Sequence, residues 1–148
     1  MKKPLKVVLT VVAVLAVLFA GYSAVWLWYS QVRFAPLEEC IPINYGLRIV
    51  SIGDYSYSAT SPKCLEFGGN LALTNEETQE GLILWPQLSG DCKLAALIYL
   101  NEDDEALAIV MIDKDGNCLD ESRKNAYDKN KQRVAEMIDL ADEMWHIK

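Results

Sequence analysis

The sequence predicts an α+β fold in which a single N-terminal transmembrane helix precedes a small antiparallel-sheet domain covered by a long C-terminal amphipathic helix. Three observations predict it. An uncharged apolar run fills residues 7–29, strand-length segments bounded by turn residues follow between 47 and 112, and residues 120–145 contain no Gly or Pro. At about 1.5 Å per residue the first run makes a helix of roughly 35 Å, longer than a bilayer core of about 30 Å.

The charges around the apolar run predict its orientation. Three lysines, Lys2, Lys3 and Lys6, precede it, whereas the chain after it offers only Arg33 before a pair of glutamates. The positive-inside bias places the N-terminus in the cytoplasm, and the aromatic rings at 26–29 suit the opposite interface. The predicted organisation is a cytoplasmic tail at 1–6, a transmembrane helix at 7–29, a tether at 30–39 and an extracytoplasmic domain at 40–148.

A cleavable signal peptide is the alternative explanation of the apolar run. Such peptides usually have an apolar region of about 7–15 residues and a small-x-small cleavage site. Here Ala24 has Tyr22 two residues before it, and Ala20 has Leu18. The pattern therefore favours a retained single-pass signal anchor in the inner (plasma) membrane.

Four cysteines follow the apolar run, namely Cys40, Cys64, Cys92 and Cys118. In an oxidising compartment an even set without close pairs favours two disulfides over a zinc site. Residues 47–52 and 55–60 predict a hairpin with a tight turn at Gly53-Asp54, and its extrapolated register sets residue 43 opposite residue 64. Of the three possible pairings we therefore expect Cys40–Cys64 and, by subtraction, Cys92–Cys118, each stabilising by about 3 kcal/mol.

Further elements follow in the second half of the domain. Residues 74–77, Thr-Asn-Glu-Glu, match a capping box and predict a short helical turn, after which Leu82–Trp85 predicts a brief strand. Residues 94–100 and 106–112 are apolar runs that predict a second hairpin. Because these two strands are apolar on both faces, we expect them to be central in the sheet, with something covering each side.

One cover is evident in the sequence. Asp120 is a plausible N-cap, and a helical stripe of apolar residues continues from there to Trp145. Its members are Tyr127, Val134, Met137, Ile138, Ala141, Met144 and Trp145. The stripe predicts packing on the sheet, with a surface for a partner helix as the alternative. Before it, residues 113–117 predict a tight turn carried by Asp115-Gly116, because the ligand positions of a calcium loop are missing.

The charge distribution is the main indication of a partner. Residues 38–113 carry thirteen acidic side chains against three basic ones, whereas residues 114–148 carry eight against seven. A protein partner with a basic surface fits this balance, while nucleic acid and anionic lipid headgroups would meet like charge. The predicted partner-binding residues are the densest acidic run, Glu102, Asp103, Asp104 and Glu105. The alternative is a solvated acidic surface without a partner.

The sequence offers little for catalysis. Its only histidine, His146, stands two residues from the C-terminal residue, and it contains no Gly-rich phosphate loop and no metal-ligand pattern. We therefore expect no enzyme, no metal and no cofactor. The favoured function is a membrane-anchored periplasmic protein-binding module, such as an immunity or inhibitor protein. The alternative is a small structural subunit of an envelope, secretion or phage-encoded membrane complex, with Ala20-x-x-x-Ala24 as a packing face.

Overall fold

A computed structural model describes residues 3–101 and 106–147 of the chain. Within them a long N-terminal helix leads into a seven-stranded antiparallel sheet, followed by a C-terminal helical segment, as the fold prediction requires. Each strand pairs with the next one along the chain, so the sheet is a simple meander. The strands are β1 (Ile43–Asn44), β2 (Leu47–Ile52), β3 (Tyr55–Thr60), β4 (Asn70–Asn75), β5 (Gly81–Pro86), β6 (Cys92–Ile98) and β7 (Ala108–Ile112).

The N-terminal helix is long and apolar enough to cross a membrane, and none of its most apolar stretch is buried in the protein. Helix α1 (Lys3–Trp28) continues through a π-helical segment (Tyr29–Phe34) into α2 (Ala35–Glu39). The segment expected as a tether is thus helical. It also contributes to the core, because Phe34 is fully buried, as is Tyr29 directly before the segment.

The main core lies on one face of the sheet, which we call the covered face. Residues of β3 to β7 on this face alternate with residues that are mostly exposed or half-buried, and the exceptions are Gly81 and Ala95, which are buried. The buried strand residues of this face are Tyr57, Leu71, Leu73, Leu82, Leu84, Leu94, Ala96, Ile98, Val110 and Ile112. Helical residues complete the same cluster, namely Tyr29, Phe34, Tyr127, Val134, Met137, Ile138, Ala141 and Trp145.

The first hairpin is confirmed, but the cysteine pairing inferred from it is wrong. Ile52 faces Tyr55 across the predicted Gly53-Asp54 turn. The chain before β2, however, does not extend the strand, because Tyr45 and Gly46 both adopt positive φ and turn it back, so that Ile43 pairs with Arg48. Cys40 is therefore not carried towards Cys64, and both are free and exposed.

The second expected disulfide is also absent. Cys118 bridges to Ile112, which in turn faces Leu94 of β6. Cys118 thus lies two strand spacings, about 10 Å, from the strand that carries Cys92. A disulfide needs Cα atoms within about 7 Å of each other, so these two thiols stay free.

The expected helical turn at residues 74–77 is a hairpin turn instead. Thr74 still belongs to β4, and the side-chain oxygen of Asn75 accepts hydrogen bonds from the backbone N–H groups of Glu77 and Thr78, at 3.0 and 2.9 Å. Asn side chains commonly close turns in this way. The residues that match a capping box therefore belong to the connection between β4 and β5. Strand β5 begins and ends within one residue of its predicted bounds.

The second hairpin is present, yet only one of its strands is central. Strand β6 lies between β5 and β7, whereas β7 is the last strand of the sheet. The predicted turn after it is confirmed, since Gly116 has a φ of +75° and its N–H donates to the carbonyl of Asp113. Hydrogen bonds from Asn117 to the Asp113 carboxylate hold the pKa of Asp113 below its usual value.

The C-terminal helix is shorter than predicted. In place of one helix from Asp120 to Trp145, the chain forms α3 (Lys124–Tyr127), a 3₁₀ turn (Asp128–Asn130) and α4 (Lys131–Trp145). The break coincides with two tertiary hydrogen bonds, from the Tyr127 hydroxyl to the carbonyl of Gly116 and from the Asn130 amide to the carbonyl of Tyr99. The stripe of α4 packs on the sheet as predicted.

An ion pair between the buried Glu80 carboxylate and the exposed Arg133 guanidinium joins α4 to the sheet. Glu80 is 5% exposed, and its carboxylate accepts a hydrogen bond at 2.9 Å from Arg133 and another from the backbone N–H of Tyr99. Arg133 also donates to Asn130. Because every member has a partner, this network fixes the start of α4 at the end of β6 without leaving a buried charge unpaired.

Candidate functional site

The second face of the sheet, which we call the open face, is apolar in β5 to β7. Strand register places Ile83, Ala95 and Met111 in one row across it, and Leu97 beside Ile109 in the next. Trp85 continues the apolar side of β5. Among the described residues, none of these side chains belongs to the core cluster, although Ala95 is fully buried and all the others except Ile109 are half-buried. A row of apolar side chains without a covering layer is a candidate contact surface for another molecule.

The open face has two unlike halves. In β3 it carries Ser56 and Ser58, and in β2 it carries Ser51 together with the apolar Leu47 and Ile49. In β5 to β7 it carries the apolar group just described, of which Ile109 is 54% exposed. We call Ile83, Trp85, Leu97, Ile109 and Met111 the apolar patch. In the serine half, formed by β2 and β3, only Leu47 and Ile49 are apolar on this face, so the contact that excludes the most water is expected over the apolar patch.

The free edge of the sheet next to the patch is partly closed. The carbonyl of Met111 accepts a hydrogen bond from Leu119 N–H, and the carbonyl of Ile109 accepts one from the Arg123 guanidinium. These contacts occupy backbone groups that an added strand would need. The patch is therefore suited to contact through side chains on its face rather than through strand addition.

An acidic end of the sheet borders both halves of the open face. The turns between β2 and β3 and between β4 and β5 meet there, since Glu76 N–H donates to the carbonyl of Asp54 at 2.9 Å. Asp54, Glu76 and Glu77 are all exposed. The predicted partner-binding residues, Glu102, Asp103, Asp104 and Glu105, lie outside the described residues. The strands that flank them meet at this same end, where Ile98 faces Ala108.

The surroundings of Cys92 do not favour a reactive thiol. Cys92 is half-buried, and burial raises the pKa of its thiol, an effect that the nearby Arg33 guanidinium opposes. Arg33 lies 3.9 Å from the Cys92 sulfur, and its other hydrogen bonds go to backbone carbonyls of the β5–β6 turn. A raised pKa disfavours the thiolate, which is the nucleophilic form. Through these hydrogen bonds Arg33 attaches the π-helical segment to the sheet.

Sequence reasoning missed the open face, although a signal for it was present. The runs 94–100 and 106–112 predicted a cover on each side, yet the chain supplies only one amphipathic helix after them. One helix cannot cover both faces of a sheet. The imbalance between two apolar faces and one cover is the pattern that would have indicated an exposed apolar patch.

Comparisons with protein-family models, with curated proteins and with solved structures find no match to this chain. Its function is therefore argued from its own surfaces.

Proposed function

We propose that this protein is a membrane-anchored extracytoplasmic binding module that holds a basic partner protein on the open face of its sheet, as an immunity or inhibitor protein would. The observation that carries the proposal is the apolar patch of β5 to β7, whose side chains lie outside the core cluster of the described residues, with Ile109 54% exposed. Residues 38–113, which form the strands, also hold thirteen acidic side chains against three basic ones. A central apolar contact with a charged rim is the usual organisation of a protein interface.

The way in which the N-terminal helix joins the domain supports a retained anchor. Tyr29, at the end of the apolar run, is 1% exposed and donates a hydrogen bond to the carbonyl of Pro86. Cleavage after Tyr29 would remove a core residue, and cleavage after Ala24 would remove Tyr22, whose hydroxyl donates to the carbonyl of Leu65, so both contacts favour a retained helix. With the cysteines unpaired, the orientation depends on the N-terminal lysines and on the aromatic residues at the other end of the run.

Site-specific crosslinking tests the binding face. A photo-crosslinking amino acid at Ile109, in the apolar patch, is expected to capture a protein in the native membrane. The matched control is Ser58, on the serine half of the same face. Capture at Ile109 and little at Ser58 supports the proposal, because both positions lie on the same side of the sheet. Equal capture at the two positions, or none at Ile109, overturns it.

The acidic residues have their own test once the partner is captured. The variant with Glu102→Gln, Asp103→Asn, Asp104→Asn and Glu105→Gln is expected to associate severalfold more slowly and with a weaker dependence on salt, because long-range attraction mainly sets the association rate. A control removes the same charge from the helical side of the domain, with Glu121→Gln, Asp128→Asn, Glu136→Gln and Glu143→Gln. If both variants slow association equally, net charge alone acts and the run has no particular role.

Exchanging the membrane helix distinguishes a binding module from the alternative function, a structural subunit of a membrane complex. Replacing residues 7–21 with an unrelated apolar helix of equal length leaves Tyr22 to Tyr29 and the domain intact. A binding module keeps its crosslink at Ile109 after this exchange. A subunit that assembles through its membrane helix loses its partner. The exchange is preferable to a fragment starting at residue 30, which lacks the buried Tyr29.

A further inference from the structure

The loop between β3 and β4 is bound to the upper part of the apolar helix. The Tyr22 hydroxyl donates to the carbonyl of Leu65 at 2.6 Å, and the Trp26 indole N–H is shared between the carbonyls of Lys63 and Glu66, at 3.1 and 3.0 Å. Phe67 of the same loop packs edge-on against the Tyr22 ring, with centroids 5.6 Å apart. The loop therefore follows the helix over at least one turn.

The position of these contacts along the helix sets their depth. A bilayer core of about 30 Å takes about 20 residues of helix, so a core that begins at Val7 ends close to Trp26. Tyr22 then lies roughly 6 Å inside that boundary. A loop that contacts Tyr22 must reach the same level beside the helix.

The chemistry of the loop suits that level. Three of its backbone carbonyls are paired with Tyr and Trp side chains, which removes the cost of exposing unpaired carbonyls where water is scarce. Leu65 and Phe67 are half-buried against the protein, which leaves apolar surface to contact lipid. Lys63 and Glu66 are exposed, and side chains of their length reach the headgroups.

We propose that residues 63–67 insert into the outer interface of the bilayer beside α1, so that the domain contacts lipid through this loop as well as through its anchor. The proposal relies on the membrane anchor but not on a partner protein. It also orients the sheet. Strand β3 spans six residues, about 20 Å, between this loop and the Gly53-Asp54 turn, so the acidic end stands away from the membrane.

Two exposed cysteines provide a matched pair of probes. Cys64 lies in the loop, whereas Cys40 lies fourteen residues beyond Trp26 along the chain, and both are free. Cys92 and Cys118, which are also free, are replaced by Ser in both proteins. The full chain that also carries Cys40→Ser is then labelled at Cys64 with an environment-sensitive fluorophore, and the chain that also carries Cys64→Ser is labelled at Cys40. Each is placed in phosphatidylcholine vesicles in which a minor fraction of lipid carries a nitroxide near the top of the acyl chain.

We expect the nitroxide lipid to quench the label at Cys64 severalfold more strongly than the label at Cys40, and aqueous iodide to show the reverse order. Tyr22→Phe, which removes only the hydroxyl that holds the Leu65 carbonyl, should raise iodide quenching at Cys64 and leave Cys40 unchanged. Equal quenching at both positions in protein that floats with the vesicles overturns the proposal. Protein that does not float with them refutes the anchor itself, which is a different failure.

Discussion

The covered and open faces of the sheet have similar apolar content in β5 to β7 but different surroundings. Leu82 and Leu84 on the covered face are completely buried by the helices, whereas Ile83, between them in the chain, lies on the open face outside the core cluster. A covered apolar face stabilises the fold. An uncovered one contributes less to stability and leaves free energy that a partner can gain by burying it. The difference therefore separates residues kept for folding from residues available for binding.

The largest expected effect compares neighbours on the two faces. Leu84→Ala removes buried methyl groups from the core and should lower the free energy of unfolding by about 2–5 kcal/mol. Ile83→Ala, on the open face of the same strand, should cost about 1 kcal/mol or less. Denaturant unfolding of the full chain in micelles, followed by tryptophan fluorescence, measures both. Equal losses would show that the open face is covered after all.

Two adjacent glycines test how the N-terminal helix completes the covered face. A Cβ at Gly69 would lie 2.5 Å from the Phe34 ring, whereas a Cβ at Gly68 would meet nothing within 4 Å. Gly69→Ala should therefore destabilise the protein by about 1–3 kcal/mol through overpacking. Gly68→Ala should change stability by less than about 0.5 kcal/mol. A harmless Gly69→Ala would mean that Phe34 is not fixed against the sheet.

The Tyr127 hydroxyl makes a smaller, pH-dependent contribution on the covered side. Burial raises the pKa of Tyr127 to about 12, and its hydroxyl donates to the carbonyl of Gly116 at 2.7 Å. Tyr127→Phe should cost about 1–2 kcal/mol, because that carbonyl loses its partner. The folded state favours the neutral hydroxyl, so the wild-type protein should lose this stability as the pH rises from about 10 to 12. The free energies of unfolding of the wild-type and Tyr127→Phe proteins, measured across that pH range, should therefore converge.

The smallest effect on stability is expected at the open face itself. Ile109 is 54% exposed, so Ile109→Ser should change the free energy of unfolding by less than about 0.5 kcal/mol. The same substitution is expected to weaken partner capture. If Ile109→Ser lowered stability as much as Leu84→Ala does, Ile109 would belong to the core. The apolar patch would then not be a surface available for binding.

Local chemistry was sufficient to predict several elements. The Gly53-Asp54 turn with its alternating strands, the turn at Asp115-Gly116 and the long apolar helix all depend on nearby residues, and each appears as predicted. Turn residues, period-two patterns and uninterrupted apolar runs act within a few residues of chain. The acidic balance of residues 38–113 was likewise available, although a charge count cannot show which face carries a partner.

Tertiary structure decided the rest, because those outcomes depend on residues distant in sequence. The reversal at Tyr45-Gly46 separated Cys40 from Cys64, and an intervening strand separated Cys92 from Cys118. The segment expected as a tether packs on the domain because Phe34 lies against Gly69 and Arg33 binds the β5–β6 turn. The sequence by itself determined that β6 and β7 are apolar on both faces. Only packing decided which face the single amphipathic helix would cover, and so which apolar side chains remain open to a partner.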